Sequence, residues 1–333
     1  MGPVMQTPLV HKIVLECLAA NYGIEGRLER LPGENLNFLV TTTNDRRYVF
    51  KIVDQDMPPA VVEMEFAAIE HAMATGFKPR LPQIYENKYG KIETGIKLPI
   101  NGLYRARLIT FLSGKDMASM SDISIDLLKN VGETVASFNL AMQDFEHPAA
   151  HRDHRWNLAS AGRHEDKIRL FSDPEKRELL AWAYQGWRTA ERRFADLPRQ
   201  FIHGDAHDEN LLVEGGRVTG LIDFGDCCNN PTICDLAICM TYLMRRGPDP
   251  LSIAAAVANG YRQIRALSAD ELAVLYPLIG ARLAVSVCVA NERKAIDPSN
   301  PNWFGGEELT WKLLERLRAL GPGSFDAALR YGL

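Results

Sequence analysis

The sequence has no Cys-x-x-Cys pair, no low-complexity tract, no internal repeat and no surplus of basic charge. Each absence narrows the reading. With 38 basic against 42 acidic side chains, the net charge of −4 argues against a nucleic-acid binder that works through a basic field. The six cysteines lack paired ligand spacing, so neither zinc nor a disulfide framework is expected. Cys239 and Cys288 lie in apolar runs and read as small core residues, whereas Cys227 and Cys228 lie beside the motif described below, a position open to oxidation. No apolar run is read as approaching the roughly 18 residues of a membrane span. The first residues lack a basic n-region and a Ser or Thr at position 6, so neither a secretory signal nor myristoylation is expected. These absences predict a cytoplasmic protein with neither nucleic acid nor membrane as a partner; they leave the oligomeric state open. With 46% apolar and 24% charged residues, the composition is that of a globular protein, and 333 residues are comfortable for two lobes.

What is present centres on residues 201–226, FIHGDAHDENLLVEGGRVTGLIDFGD. Two short apolar runs, 211–213 and 218–222, flank Glu214-Gly215-Gly216-Arg217. Gly-Gly is a preferred two-residue hairpin turn because both residues tolerate positive φ. That turn predicts Glu214 opposite Arg217, Asn210 opposite Leu221 and Asp208 opposite Asp223. Asn210 and Asp223 then lie at one open end of the hairpin, and Asp205 lies in the loop that feeds it. Two carboxylates and an amide oxygen suit Mg²⁺, a hard cation that keeps waters and substrate phosphates as its other ligands. The spacing His203-Gly204-Asp205, four residues, Asn210, followed by Asp223-Phe224-Gly225, matches the kinase catalytic template.

His-Gly-Asp-x-x-x-x-Asn followed by Ile-Asp-Phe-Gly resembles the aminoglycoside phosphotransferase superfamily, which includes choline, homoserine and hydroxylysine kinases. Phe-Gly-Asp-Cys-Cys, beginning at Phe224, is most similar to hydroxylysine-kinase-like members. The resemblance spans nearly the whole chain and is diagnostic between about residues 202 and 243. It implies an α/β, protein-kinase-like fold: an N-lobe of antiparallel sheet plus helix over 1–108, a hinge over 109–114 and a mainly helical C-lobe over 115–333. It also implies transfer of the γ-phosphoryl group of ATP or GTP to a hydroxyl of a small amino-bearing metabolite. Asp205 would accept the hydroxyl proton, Asn210 and Asp223 would hold Mg²⁺, and Asp235 would accept hydrogen bonds from the catalytic-loop backbone, with His203 supporting that loop. An N-cap is the other reading of Asp235.

Elsewhere the pattern predicts a helix over 7–20, a strand over 28–31 and a hairpin of 36–42 with 47–53. The turn at Gly33-Glu34-Asn35 resembles the family's nucleotide-covering loop, with Asn35 in it. Lys51 sits mid-strand, where a lysine needs solvent or a partner; the resemblance gives it the nucleotide phosphates and a glutamate, Glu65, with Glu63 in reserve. A helix over 58–75 follows, its stripe read as Val62, Phe66, Ile69 and Met73. Strands are expected over 81–85, 89–100 and 103–110, and the hinge would offer backbone at Ile109 and Phe111 to the nucleotide base. Strand signals then nearly vanish. Helices are expected over 124–142, 173–194, 231–245, 272–293 and 307–320, with loops at 147–154 and 300–306. His147, His151 and His154 read as a surface loop with no completing ligand. Arg282, in an otherwise apolar run, needs an anion. That anion is either an internal acid or a substrate carboxylate, with Glu292 or Asp226 then meeting the ammonium. This second alternative favours a hydroxy-amino acid as acceptor.

Overall fold

The computed structural model describes residues 8–31, 36–53, 56–99, 102–296, 298 and 306–331. The turn holding Gly33, Glu34 and Asn35 and most of the loop at 300–306 lie outside them. The chain divides into two compact units. One comprises Met1–Phe66, Pro82–Ser113 and Arg293–Gly305; the other comprises Ala67–Leu81, Gly114–Glu292 and Gly306–Leu333.

The first unit is built on an antiparallel sheet. Strands β1 (Gly26–Arg30), β2 (Leu36–Thr42), β3 (Arg47–Val53), β4 (Ile84–Tyr85), β5 (Thr94–Leu98) and β6 (Gly102–Thr110) pair in the order β1-β2-β3-β6-β4, with β5 also on β6. The β2–β3 turn is tight because Asp45 accepts φ 58°, a left-handed conformation that a short polar side chain tolerates. Strand alternation turns Phe38 and Val40 of β2, and Phe50 and Ile52 of β3, inward, where they meet Val10, Val14 and Leu18 of α1 (Pro8–Tyr22). α2 (Pro59–Ala74) starts in this unit and ends in the other. Its buried side is Val61, Val62, Met64, Ala68, Ile69 and Ala72; Met73, expected inside, is exposed and Phe66 only half-buried.

The second unit is mainly helical: α3 (Ile125–Ala141), α4 (Pro174–Glu191), α5 (Ile233–Met244), α6 (Pro250–Ile264), α7 (Ala269–Ile296) and α8 (Glu307–Tyr331). Local chemistry sets the helix starts. Ser124 Oγ accepts from Leu127 N at the head of α3, and the carboxylates of Asp173 and Asp249 cap α4 and α6, each with proline in the first turn. α3 and α6 pack so closely that a Cβ on Gly132 would lie 2.0 Å from the Val257 carbonyl oxygen. α8 continues past the expected end at residue 320, across a kink at Gly321. The segment Leu158–Leu170 is 3₁₀ turns, kinked at Ser160. Contrary to expectation, α7 does contain an 18-residue window long and apolar enough to cross a membrane, and 78% of that window is buried inside the protein. It is the core helix of this unit.

After residue 114 the structure holds the predicted hairpin and, among the described residues, three further short strands. β9 (Leu211–Glu214) and β10 (Arg217–Leu221) form the hairpin, β7 (Lys115–Asp116) extends it, and β8 (Arg199–Ile202) pairs antiparallel with β11 (Cys228–Pro231).

Candidate active site

The two small sheets place the motif. β8 and β11 pair from Ile202↔Cys228, so residues 203–210 and 223–227 leave that ladder side by side. β9 and β10 close the other end, with Glu214 opposite Arg217 as the Gly-Gly turn predicts. The register then slips by one at Thr219: Leu221 faces Leu211, and it is Ile222 N that donates to the carbonyl of Asn210, at 3.0 Å. The expected pairings of Asn210 with Leu221 and of Asp208 with Asp223 fail for this reason. The slip is a β-bulge fixed from outside the hairpin: Arg80 N donates to the Thr219 carbonyl and Leu221 N to the Arg80 carbonyl, a bridge that turn chemistry does not announce. Asn210 and Asp223 remain at one end of the hairpin.

Within this frame each acid has its own surroundings. Asp205 Oδ2 accepts from Asn210 Nδ2 at 2.9 Å and faces His207 Nε2 at 3.3 Å; Oδ1 accepts from Arg282 Nη2 at 2.8 Å. Burial works against the charge of Asp205, but His207 and Arg282 outweigh it and hold the carboxyl below the usual carboxylate range. His207 is the mirror case. Burial disfavours its charge, yet Asp205 and Asp208 hold it well above the usual imidazole range, and its ring stacks on Tyr242 at 4.1 Å. Asp208 reaches on to Arg246 Nη1 at 3.1 Å.

Asp223 has φ 62° and ψ 78°, one of two non-glycine residues with positive φ among the described residues. Strain held at such a position marks a site where the surrounding structure fixes the side chain. Asn210 spends its amide nitrogen on the carbonyl and carboxylate of Asp205. That leaves its Oδ1, an oxygen, as the atom available to a cation. Asn210 and Asp223 thus fit Mg²⁺, which takes one or two protein oxygens and completes its shell with water and phosphate.

Asp235 is fully buried, and its carboxylate accepts from His203 N at 3.1 Å, Gly204 N at 2.8 Å and Asn139 Nδ2 at 2.7 Å. The N-cap of α5 is Thr232, so Asp235 is not a cap. Burial pushes its carboxyl up to about 6, opposed by those three donors, which favour the charged form. Gly204 has φ 77°, and a Cβ there would sit 2.3 Å from the Asp226 carbonyl oxygen. His203 is fully buried edge-on to Phe224 at 4.8 Å, and burial lowers it to about 4.

Three expected substrate contacts fare differently. The guanidinium of Arg282 is already committed: Nη1 donates to the Trp156 carbonyl at 3.0 Å, Nη2 binds Asp205, and the group lies over the Trp156 and Tyr242 rings at 4.9 and 5.3 Å. Of the two anions foreseen for it, the internal acid is the one present. Glu292 is paired with Lys167 at 2.7 Å, which corrects its reading as an ammonium partner. Asp226 lies 3.4 Å from His154 Nδ1. Burial, then the Asp205 charge, push its carboxyl up to about 8, while burial lowers His154 to about 3 and leaves that ring neutral.

In the other unit, Lys51 is buried in β3, opposite Arg107 of β6. Glu65 is buried and Glu63 exposed, which favours Glu65 of the two expected acids. The cation that Glu65 hydrogen-bonds through Oε2 is nevertheless Arg107, and among the described residues its Oε1 has no hydrogen-bond partner. An arginine so placed on β6 is beyond a reading that followed lysine alone. Ile109 pairs with Val49 and Ile84, and Phe111 lies under the Arg47 guanidinium at 4.2 Å. All six cysteines are free and buried; burial pushes Cys228 up to about 12, so a position open to oxidation is not what the fold provides. Among the described residues no cluster of three His, Cys, Asp or Glu side chains could hold a metal. The surface-loop reading of 147–154 needs correcting: His147 caps a 3₁₀ turn, Pro148–Ala150, and His154 is largely buried beside Asp226.

The sequence matches the model of the phosphotransferase enzyme family over residues 27–269, well over half of its length. It is 25% identical to a hydroxylysine kinase of Mus musculus over 328 residues, covering 90% of this chain and 86% of that protein. It is 27% identical to a homoserine kinase of Gluconobacter oxydans, covering 73% of this chain and 74% of that protein. In fold it is similar to an amicoumacin kinase solved with AMP-PNP and Ca²⁺, with a TM-score of 0.69 and 14% identity over 93% of this chain and 97% of that one. The chain therefore belongs to the phosphotransferase enzyme family, as a small-molecule kinase with an alcohol group as acceptor.

Proposed function

We propose that the enzyme transfers the γ-phosphoryl group of ATP or GTP to the hydroxyl of a small hydroxy-amino acid, with hydroxylysine as the leading acceptor. The observation that carries the reading is the convergence of Asp205, Asn210 and Asp223 where the two small sheets open. Asp205 orients the acceptor hydroxyl and takes its proton. The acceptor oxygen bonds to the γ-phosphorus as the bond to the bridging oxygen breaks, and that oxygen leaves with its electron pair on the nucleoside diphosphate. Asn210 and Asp223 would hold Mg²⁺, which when bound neutralises charge on the phosphates. Asp235 fixes the backbone of the loop that carries Asp205, so that the carboxylate is aimed before the acceptor arrives. Lys51, Ile109 and Phe111 are proposed to serve the nucleotide.

Support for an amino-bearing acceptor comes from Asp226 and from the relatives. Asp226 is a half-buried acid beside a neutral His154, its carboxyl held high despite Arg282 and Arg152, and an ammonium would favour its charged form. The homoserine-kinase relative supports homoserine as a second acceptor. The test is a nucleotide-consumption screen with ATP and GTP over hydroxylysine, homoserine, choline and an aminoglycoside. Turnover is expected with hydroxylysine above the others. Nucleotide binding without acceptor-dependent consumption across the panel would overturn the reading in favour of a non-catalytic nucleotide-binding module.

A further inference from the structure

Arg282 projects from the middle of α7, and the structure leaves its side chain 2% exposed. A buried guanidinium is tolerated only when it is paired and hydrogen-bonded. Here it is held on two sides. Its faces lie against Trp156 and Tyr242, and its nitrogens bond the Trp156 carbonyl and Asp205 Oδ1. Tyr242 also stacks on His207, the second cation at Asp205. One aromatic side chain thus backs both positive groups that grip the same carboxylate.

The division of contacts between the two oxygens is informative. A carboxylate oxygen accepts two hydrogen bonds. Oδ2 of Asp205 has Asn210 Nδ2 and His207 Nε2 against it; Oδ1 has one neighbour among the described residues, Arg282 Nη2. We propose that Arg282 is the positioning residue of the phosphoryl-transfer site, turning the Asp205 carboxylate so that Oδ1 is the oxygen that meets the acceptor hydroxyl and receives its proton. The inference rests on the assignment of Asp205 as acceptor-orienting carboxylate. It replaces the alternative in which Arg282 binds a substrate carboxylate, because both terminal nitrogens are bonded to protein oxygens and the remaining donor, Nε, is buried. A planar guanidinium suits this role: its donor directions are rigid, so a carboxylate bonded to it through Oδ1 and to Asn210 through Oδ2 cannot rotate freely.

The test uses the full chain with Arg282→Met, Arg282→Lys and Asp205→Ala, and Arg282→Met combined with Asp205→Ala. Acceptors are hydroxylysine, or homoserine where the panel favours it, each beside its decarboxylated amino alcohol. A carboxylate displaced by about 1 Å loses on the order of 100-fold in rate. Arg282→Met is therefore expected to lower kcat about 100-fold on both acceptors of a pair, with the nucleotide KM changed less than about twofold. Arg282→Lys is expected to recover about a tenth of the wild-type rate, since it restores the charge and one donor without the fork. On the Asp205→Ala background, Arg282→Met should cost nothing further. A loss seen as raised KM for the carboxylate-bearing acceptor alone would overturn the proposal, as would additive losses in the double variant. Where Arg282→Met fails to fold, Arg282→Lys with an unchanged nucleotide-induced shift in Tm carries the same comparison. Full activity of Asp205→Ala would sink the functional reading itself; loss there with untouched Arg282 variants would sink this inference alone.

Discussion

At the scale of the residue, the site is a set of carboxylates told apart by their neighbours. Asp205 has two cations against it and is ionised; Asp226, a few residues from Asp223, has a neutral histidine and is driven up to about 8. That contrast yields two predictions. Asp205→Ala removes the group at the phosphoryl acceptor and none at the nucleotide, so kcat should fall about 1,000-fold or more while nucleotide affinity holds. Retention of most of kcat would refute the assignment. For Asp226 the sign follows from its raised value. Below pH 8 the free enzyme carries it neutral and offers an ammonium little; as pH rises through about 8 it ionises, while an acceptor amine near pKa 10 stays charged. KM for the amino acceptor should therefore fall between pH 7 and 8.5, and Asp226→Asn should abolish that dependence. A KM independent of pH in the wild type would remove Asp226 from the acceptor site.

At the scale of the element, what could be read from the sequence is what local chemistry fixes. The bounds of β2 and β3 follow from alternation, and the starts of α3 and α4 follow from Ser124 and from Asp173-Pro174. The motif placed Asn210 and Asp223 at one end of a hairpin because Gly215-Gly216 sets the turn. What stayed hidden was set by partners far along the chain. The bulge at Thr219 depends on Arg80, and β8 is a strand because β11 pairs with it. Asn139 on Asp235 and Arg282 on Asp205 are contacts across 96 and 77 positions that no local pattern signals. The close approach of α3 and α6 belongs to the same class and is testable. A Cβ on Gly260 would lie 1.8 Å from the Lys129 carbonyl oxygen, an atom of backbone that cannot step aside. Gly260→Ala should push the helices apart and cost about 3 kcal/mol or more, outweighing the ~1 kcal/mol that alanine ordinarily gains in a helix. Chemical denaturation reads this directly, and a neutral or stabilising result would mean that the helices accommodate a methyl.

At the scale of the whole molecule, two compact units carry different parts of the proposed machinery. Lys51, Ile109 and Phe111 belong to one; Asp205, Asn210, Asp223, Asp235 and Arg282 belong to the other. α7 illustrates why composition alone misleads: a helix apolar enough for a membrane is here the buried support from which Arg282 reaches the site. Ligand binding reports on the whole fold, because a ligand that binds only the native state stabilises it by about 2.7 kcal/mol at 100 times Kd. At ~2 °C per kcal/mol for a chain of this size, nucleotide with Mg²⁺ should raise Tm by about 5 °C. Asp205→Ala should show the same rise, since its side chain serves the acceptor. Asp223→Asn should keep a smaller rise with nucleotide alone and lose most of the increment that Mg²⁺ adds, because an amide replaces the charge held against the ion. Titrating Mg²⁺ at fixed nucleotide in the two variants separates the roles. If both variants show the same Mg²⁺ dependence, Asp223 is not the metal-holding carboxylate, and the division of labour between it and Asp205 falls.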